Sequence, residues 1–282
     1  MIERHIAVLL ERDPFFRQYW EALTPEARQQ RLDATRMLEE IHPDDEEMAH
    51  AEYAWSSEKM RRYLSCVPQR DPDFERRPKQ WLDLVDEPET MQRVHDRARS
   101  ELEAFRAASG APSARLYGGL KSIASLDASF EQPKPHWAAR RNLRDAWDAV
   151  RFRLVCEDVI ALRTTCMQIL QYFIDDVVKS RNYYTAGIGI NDLYRAVHFE
   201  LAIERGCVVE VQVLTERRDW IGFLDYSFTF KKRLHFLDHA HEEWLAALAA
   251  RATIADARRI RDADVLMPKE TALRFELWRQ TN

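Results

Sequence analysis

Hydrophobic and polar positions change their period several times along the middle of the chain. Val150, Phe152, Leu154 and Cys156 alternate with Arg151, Arg153 and Val155. A period of two predicts a strand with one buried face. From Ile160 to Ser180 the spacing turns helical, which predicts an amphipathic helix. Val197, Phe199, Leu201 and Ile203 then alternate again, the chain turns at Glu204-Arg205-Gly206-Cys207, and Val209, Val211 and Val213 return. Two such runs about a glycine-bearing turn predict a β-hairpin. Matching their apolar faces sets the register and places His198, Glu200, Glu210 and Gln212 together on the opposite face. A polar hairpin face is usually just solvated, so the pattern alone assigns no chemistry.

The two ends read differently. All seven glycines lie between Gly110 and Gly222. Hairpins need residues at positive φ, so long stretches without glycine predict helices. Thr24-Pro25-Glu26 reads as an N-cap with proline at the first helical position, followed by a helix over 26–41. His42-Pro43 breaks it, a second helical stretch covers about 44–66, and Pro68, Pro72 and Pro78 mark a loop. A third helix over about 88–108 ends at Ser109-Gly110, and the tail from about 235 to 280 is helical again. The expected organisation is a helical region at 1–109, a core at 110–232 and a helical region at 233–282.

Composition narrows the class. With 46% hydrophobic and 32% charged residues, the chain reads as globular. A net charge of −5 argues against a protein that coats nucleic acid through many phosphate contacts. The longest unbroken apolar run, Trp244 to Ala250, is far short of a bilayer span, and the charged N-terminus has no signal-peptide core. A cytoplasmic protein without membrane contact is expected. Cys66, Cys156, Cys166 and Cys207 are scattered, which fits buried free thiols better than a disulfide framework or a zinc site.

Candidate chemistry lies in five short pieces. Gly118-Gly119, followed by Lys121, Ser122 and Ser125, reads as a loop opening a helix, where free N–H groups and a lysine suit phosphate, or as an ordinary glycine turn. Asp148 precedes a strand that bears Arg153; a carboxylate there can hold Mg²⁺ or serve as a cap. Tyr194 and His198 stand at a strand start, where packing is as natural as ligand contact. Glu210 sits between valines in mid-strand, with Gln212 beside it. Two carboxylates on neighbouring strands can bind metal and assist deprotonation of a hydroxyl; a solvent-facing glutamate is the plain alternative. The fifth piece runs from Asp219-Trp220 through Asp225-Tyr226 to Phe230-Lys231. His235, Asp238, His239 and Glu242 share one helical face, a spacing that suits zinc but more often marks paired surface charges.

In this order the pieces resemble the synthetase domain of the RelA/SpoT family over about residues 110–232. The resemblance implies an α+β fold, with a nucleotidyltransferase-like mixed sheet flanked by N-terminal and C-terminal helices. It implies transfer of pyrophosphate from ATP to the 3′-hydroxyl of a purine nucleotide, as in an alarmone synthetase or a toxic small synthetase of the stringent response. It implies Mg²⁺ held by Asp148 and Glu210, with Glu210 as second metal ligand or general base, phosphate contacts from Lys121 and Ser125, and Arg153 against the donor base. It further implies Tyr194 and His198 on the acceptor, with Gln212 in the same motif as Glu210. Implied partners are ATP and a nucleotide or tRNA acceptor, with room for a homo-oligomer and a neutralising protein.

The chain departs from the family pattern at several points. Gly119 stands where the family has an arginine two residues before its lysine, and Ser129 replaces a further lysine. Leu214-Thr215 replaces Arg-Thr, Asp225-Tyr226 replaces Glu-His, and Phe230 replaces a tyrosine, while Lys231 remains. Arg115, Arg140, Arg144 and Arg151 are available to replace lost cations. Residues 1–109 hold His5, His42, His50 and His95, with a single His-Asp pair at His95-Asp96, and are expected to lack the hydrolase half of the family's long members. Two other readings follow. One is transfer to the 3′ end of tRNA, with basic patches beginning at Arg140, Arg141 and Arg144 or at Lys231-Lys232-Arg233. The other is a degenerate core that senses nucleotides or binds partners without catalysis.

Overall fold

The computed structural model describes residues 2–42, 88–109, 114–120, 149–184, 194–204, 207–225 and 239–264. Helices α1 (Ile2–Arg12), α2 (Pro14–Ala22), α3 (Pro25–Glu39) and α4 (Pro88–Ser109) precede the first strand. Strands β1 (Arg115–Leu120) and β2 (Val150–Cys156) follow, then helix α5 (Val159–Tyr172) and strands β3 (Val177–Asn182), β4 (Val197–Glu204) and β5 (Cys207–Thr215). Helices α6 (Glu216–Asp225) and α7 (His239–Asp264) close the described chain. The five strands form one sheet in the order β1-β2-β5-β4-β3. The central β2–β5 pair is parallel and the other pairs are antiparallel, so the sheet is mixed and the fold is α+β, as the sequence leads one to expect.

One face of the sheet is apolar. Phe152 and Leu154 of β2, Phe199 and Leu201 of β4, and Val209, Val211 and Val213 of β5 are buried there. α4 covers them with Met91, Val94, Ala98, Leu102 and Phe105, one stripe at helical spacing. α5 adds Leu162, Cys166 and Ile169, and Asp158 caps its start by accepting from the Ile160 and Ala161 amides. Gly118 of β1 is required here. A Cβ at that position would stand 2.2 Å from the Phe152 ring, so only glycine lets the strand cross this residue.

A second core lies outside the sheet. Ile2, Ile6 and Leu9 of α1, Phe16 and Trp20 of α2, and Leu38 of α3 meet Trp220, Ile221 and Leu224 of α6. Trp244, Leu245 and Leu248 of α7 complete it. Polar pairs are buried with them. His5 Nδ1 lies 2.9 Å from His241 Nδ1, and the Trp220 indole donates to Thr35 Oγ1 at 2.8 Å. Arg218 of α6 donates to Thr253 and lies 3.5 Å from Asp256, both on α7. No helix among the described residues is long and apolar enough to cross a membrane.

Two expectations from the sequence change. The helix from Ile160 ends at Tyr172, and residues 177–182 form β3 instead of its last turns. Val177 and Val178 are β-branched, and β3 pairs with β4 in a way that outweighs the weak helical spacing. Gly118-Gly119 is part of edge strand β1, not a loop that opens a helix. Its six-residue run pairs throughout with β2. The predicted stretch at 44–66 and the proline loop lie outside the described residues. Cys156 and Cys166 are buried thiols outside any disulfide, and burial pushes the Cys156 thiol up to about 12, against a hydrogen bond to Thr165.

Candidate active site

The polar face of the sheet follows from its register. Arg151 is opposite Gly119 on one side and Glu210 on the other; Arg153 is opposite Tyr117 and Gln212. β4 brings His198 against Gln212 and Glu200 against Glu210, and β3 brings Arg181 against His198. Strands of alternating polarity, paired in this register, must collect these side chains on one surface. The predicted grouping of His198, Glu200, Glu210 and Gln212 is therefore present.

The side chains form a connected line. Tyr194 Oη lies 2.6 Å from His198 Nε2, and His198 Nδ1 lies 3.4 Å from Glu210 Oε2. Gln212 Nε2 donates to Glu210 Oε1 at 2.6 Å, and its own carbonyl oxygen accepts from Arg153 Nε at 3.2 Å. Arg153 also donates to Asp219 Oδ1 on α6 at 3.0 Å. The ring of Tyr183, just past β3, meets His198 edge-on at 4.7 Å. Tyr194 packs on Val155, Ala196 and Leu214, a small apolar patch at one end of the polar face.

The electrostatics favour a charged carboxylate. Burial alone pushes the Glu210 carboxyl up, but His198, Gln212 and the nearby Arg151 charge outweigh it and bring it down to about 2. Glu210 and His198 each keep 15% of their side-chain surface exposed, enough for a ligand to reach them. The Tyr194 hydroxyl is driven upward, first by burial and then by the Glu210 charge, so it stays protonated.

Of the site residues expected from sequence, the structure brings together Arg153, Tyr194, His198, Glu210 and Gln212. Asp148, Lys121 and Ser125 lie outside the described residues. Among the replacement cations, Arg151 stands on the polar face beside Glu210, whereas Arg115 pairs with Glu216 at 2.5 Å. Arg140, Arg144 and the basic run at 231–233 are outside the described residues, as are His235 and Asp238. Among the described residues no group of three His, Cys, Asp or Glu side chains could hold a metal ion. Sequence reasoning missed Tyr183 and Arg181, because β3 was read as helix. It also missed the contact between Arg153 and Asp219, which no local spacing announces.

No family model matches the sequence, and no curated protein matches it either. Solved structures do. The small alarmone synthetase 2 from Bacillus subtilis is 15% identical, with a TM-score of 0.50 over 64% of this chain and 98% of that one. The small alarmone synthetase 1 from the same organism, bound to its product pppGpp, is 18% identical, with a TM-score of 0.47 over 67% of this chain and 100% of that one. A GTP pyrophosphokinase family protein from Streptococcus pneumoniae is 18% identical, with a TM-score of 0.45 over 67% and 98%. On the first of these, the chain has the fold of a small alarmone synthetase.

Proposed function

We propose that the chain is a magnesium-dependent pyrophosphotransferase that uses ATP and a nucleotide 3′-hydroxyl. The observation that carries this reading is Glu210, a carboxylate in mid-sheet on a polar face shared with Arg151, His198 and Gln212. In the transfer, the hydroxyl oxygen bonds to the β-phosphorus of ATP and its proton passes to water, while the bond from the β-phosphorus to the oxygen it shares with the α-phosphate breaks and AMP leaves with that oxygen. Such chemistry needs positioning and charge neutralisation more than covalent help from the protein.

The neighbours of Glu210 favour its charged form, the form that a metal ligand and a general base both need. Its donor chemistry fits Mg²⁺, which takes oxygen ligands, keeps waters and commonly binds through one or two carboxylates plus substrate phosphates. Asp148 is the second proposed ligand. Bound there, Mg²⁺ would neutralise charge on the transferring phosphates. To receive it, Glu210 must exchange its present contacts with Gln212 and His198 for the ion.

The other residues have distinct tasks. Arg151 sits between Gly119 and Glu210 and supplies a cation where the family's arginine is missing. Arg153 presents its planar group to the donor base. His198, oriented by Tyr194 and Glu210, faces the acceptor, and Tyr194 borders it. Lys121 and Ser125 are proposed phosphate contacts.

The test is incubation of the full chain with labelled ATP and Mg²⁺ together with GTP, GDP, ATP or tRNA. Labelled pyrophosphate on one acceptor, with AMP released in equal amount, is expected. Glu210→Gln should lower the rate on the order of 10²-fold or more while leaving the protein folded. A tRNA-only product would identify the acceptor as nucleic acid. Transfer to none of the four, by protein that is folded and metal-replete, sinks the proposal and leaves a nucleotide-binding or interaction role.

A further inference from the structure

Arg153 is held by its edge. Its Nε donates to Gln212 and a terminal nitrogen donates to Asp219. Guanidinium N–H groups point outward in the plane of the group, so both bonds leave the flat faces uncommitted. Those faces are the part of an arginine that stacks on an aromatic ring. With 34% of its side chain exposed, Arg153 keeps surface to offer.

Asp219 has a second cation. Arg31 of α3 stands 3.9 Å from its other carboxylate oxygen, and Asp219 and Arg31 are only 13% and 16% exposed. The Arg31 guanidinium also lies over the Trp220 ring, 5.5 Å from its centroid, a cation–π arrangement that anchors it. Trp220 is tied to the same helix through its bond to Thr35. α3 therefore grips α6 at the residue beside Asp219 and at Asp219 itself. Charges this well shielded from water feel one another more strongly than surface pairs do.

We propose that Asp219 and Arg31 are positioning residues for the nucleobase site, through which the N-terminal helical layer sets the plane Arg153 presents to a purine. The inference rests on the reading of Arg153 as a base contact. Without Arg31, Asp219 is free to swing toward Arg153 and take two of its donors, which tilts the guanidinium. Without Asp219, only Gln212 fixes the plane. Either loss weakens the fit to a ring and leaves the phosphate contacts intact.

The experiment is a mutant cycle on the full chain, read by calorimetric binding of Mg·ATP and, in parallel, of inorganic tripolyphosphate. Arg31→Ala and Asp219→Asn should each weaken ATP about three- to tenfold and leave tripolyphosphate unchanged. Arg31→Lys should recover part of the loss. In an Arg153→Ala background, Arg31→Ala should cost nothing further. Where turnover is measured, KM for ATP should rise with kcat nearly constant. An Arg31→Ala protein that binds ATP like wild type overturns the proposal, as does an independent loss in the Arg153→Ala background or an equal loss for tripolyphosphate. Wild-type protein that binds ATP but transfers nothing sinks the reaction and leaves this cycle to decide the inference. Wild-type protein that binds no ATP sinks both.

Discussion

The two cores of this protein are built on different principles. The sheet core joins β-branched and aromatic residues of alternating strands to stripes on α4 and α5, nearly all apolar. The helical core joins residues from the described beginning and end of the chain around α6 and buries polar pairs along with them: His5 with His241, Thr35 with Trp220, Arg218 with Asp256. Shape selects partners in the first. In the second, short helices with similar apolar stripes could dock in several ways, and buried polar contacts penalise the wrong ones. The candidate site lies where the two meet: Glu210 and Gln212 belong to the sheet, and Asp219 belongs to α6.

The contrast can be broken from the helical side with the largest effect. Asp256→Ala leaves Arg218 buried without its carboxylate and should cost about 3–5 kcal/mol in urea unfolding. Replacing both residues with apolar ones of similar size should recover most of that. In the sheet core, Leu154→Ala should cost about 2–5 kcal/mol with no comparable rescue by a second change.

Acid should separate the two regions. Glu210 is held below its ordinary 4.5, so the unfolded chain binds the extra proton as pH falls. Its contribution is complete above about 4.5 and is lost on the way down to about 2; it is on the order of 3 kcal/mol. Asp256 has the opposite sign, since burial raises its carboxyl and outweighs Arg218 and Arg217. Acid unfolding curves of wild type and Glu210→Gln should therefore differ in slope between these pH values. Matching slopes would contradict the assignment.

Smaller effects sharpen the picture. Thr35→Val strands the Trp220 indole N–H and should cost about 1–3 kcal/mol. Arg36→Ala removes a surface pair with Glu3 that also bridges α1 and α3, yet the thermal midpoint should not measurably move. A large drop there would mean that the helical layer depends on exposed charges as well as buried ones.

The sheet was easy to read in the sequence because its signal is local. Val197 to Val213 carries both the alternation and the turn, so the hairpin register and the companions of Glu210 follow without tertiary knowledge. α4 was equally legible from its apolar stripe and its C-terminal glycine. β3 was not, because a strand of six residues attached to a helix inherits the helix's periodicity. The strand nature of Gly118-Gly119 was hidden as well. Glycine pairs signal turns, and only the Phe152 ring beneath Gly118 explains one within a strand. The helical layer was visible as helices but not as a layer. Its contacts join residues such as Arg31 and Asp219, or His5 and His241, which no window along the chain contains together.

The pairing of His5 with His241 has a consequence for synthesis. A ribosome adds residues at about 5–20 per second, so α1 must wait roughly ten to fifty seconds before α7 exists to receive it. Throughout that interval Ile2, Ile6 and Leu9, fully or nearly fully buried in the finished protein, have only α2 and α3 to pack against and not Trp244, Leu245 and Leu248 of α7. Until the intervening residues are made, α1 lacks part of its apolar cover and is a natural target for chaperones that meet proteins as they emerge.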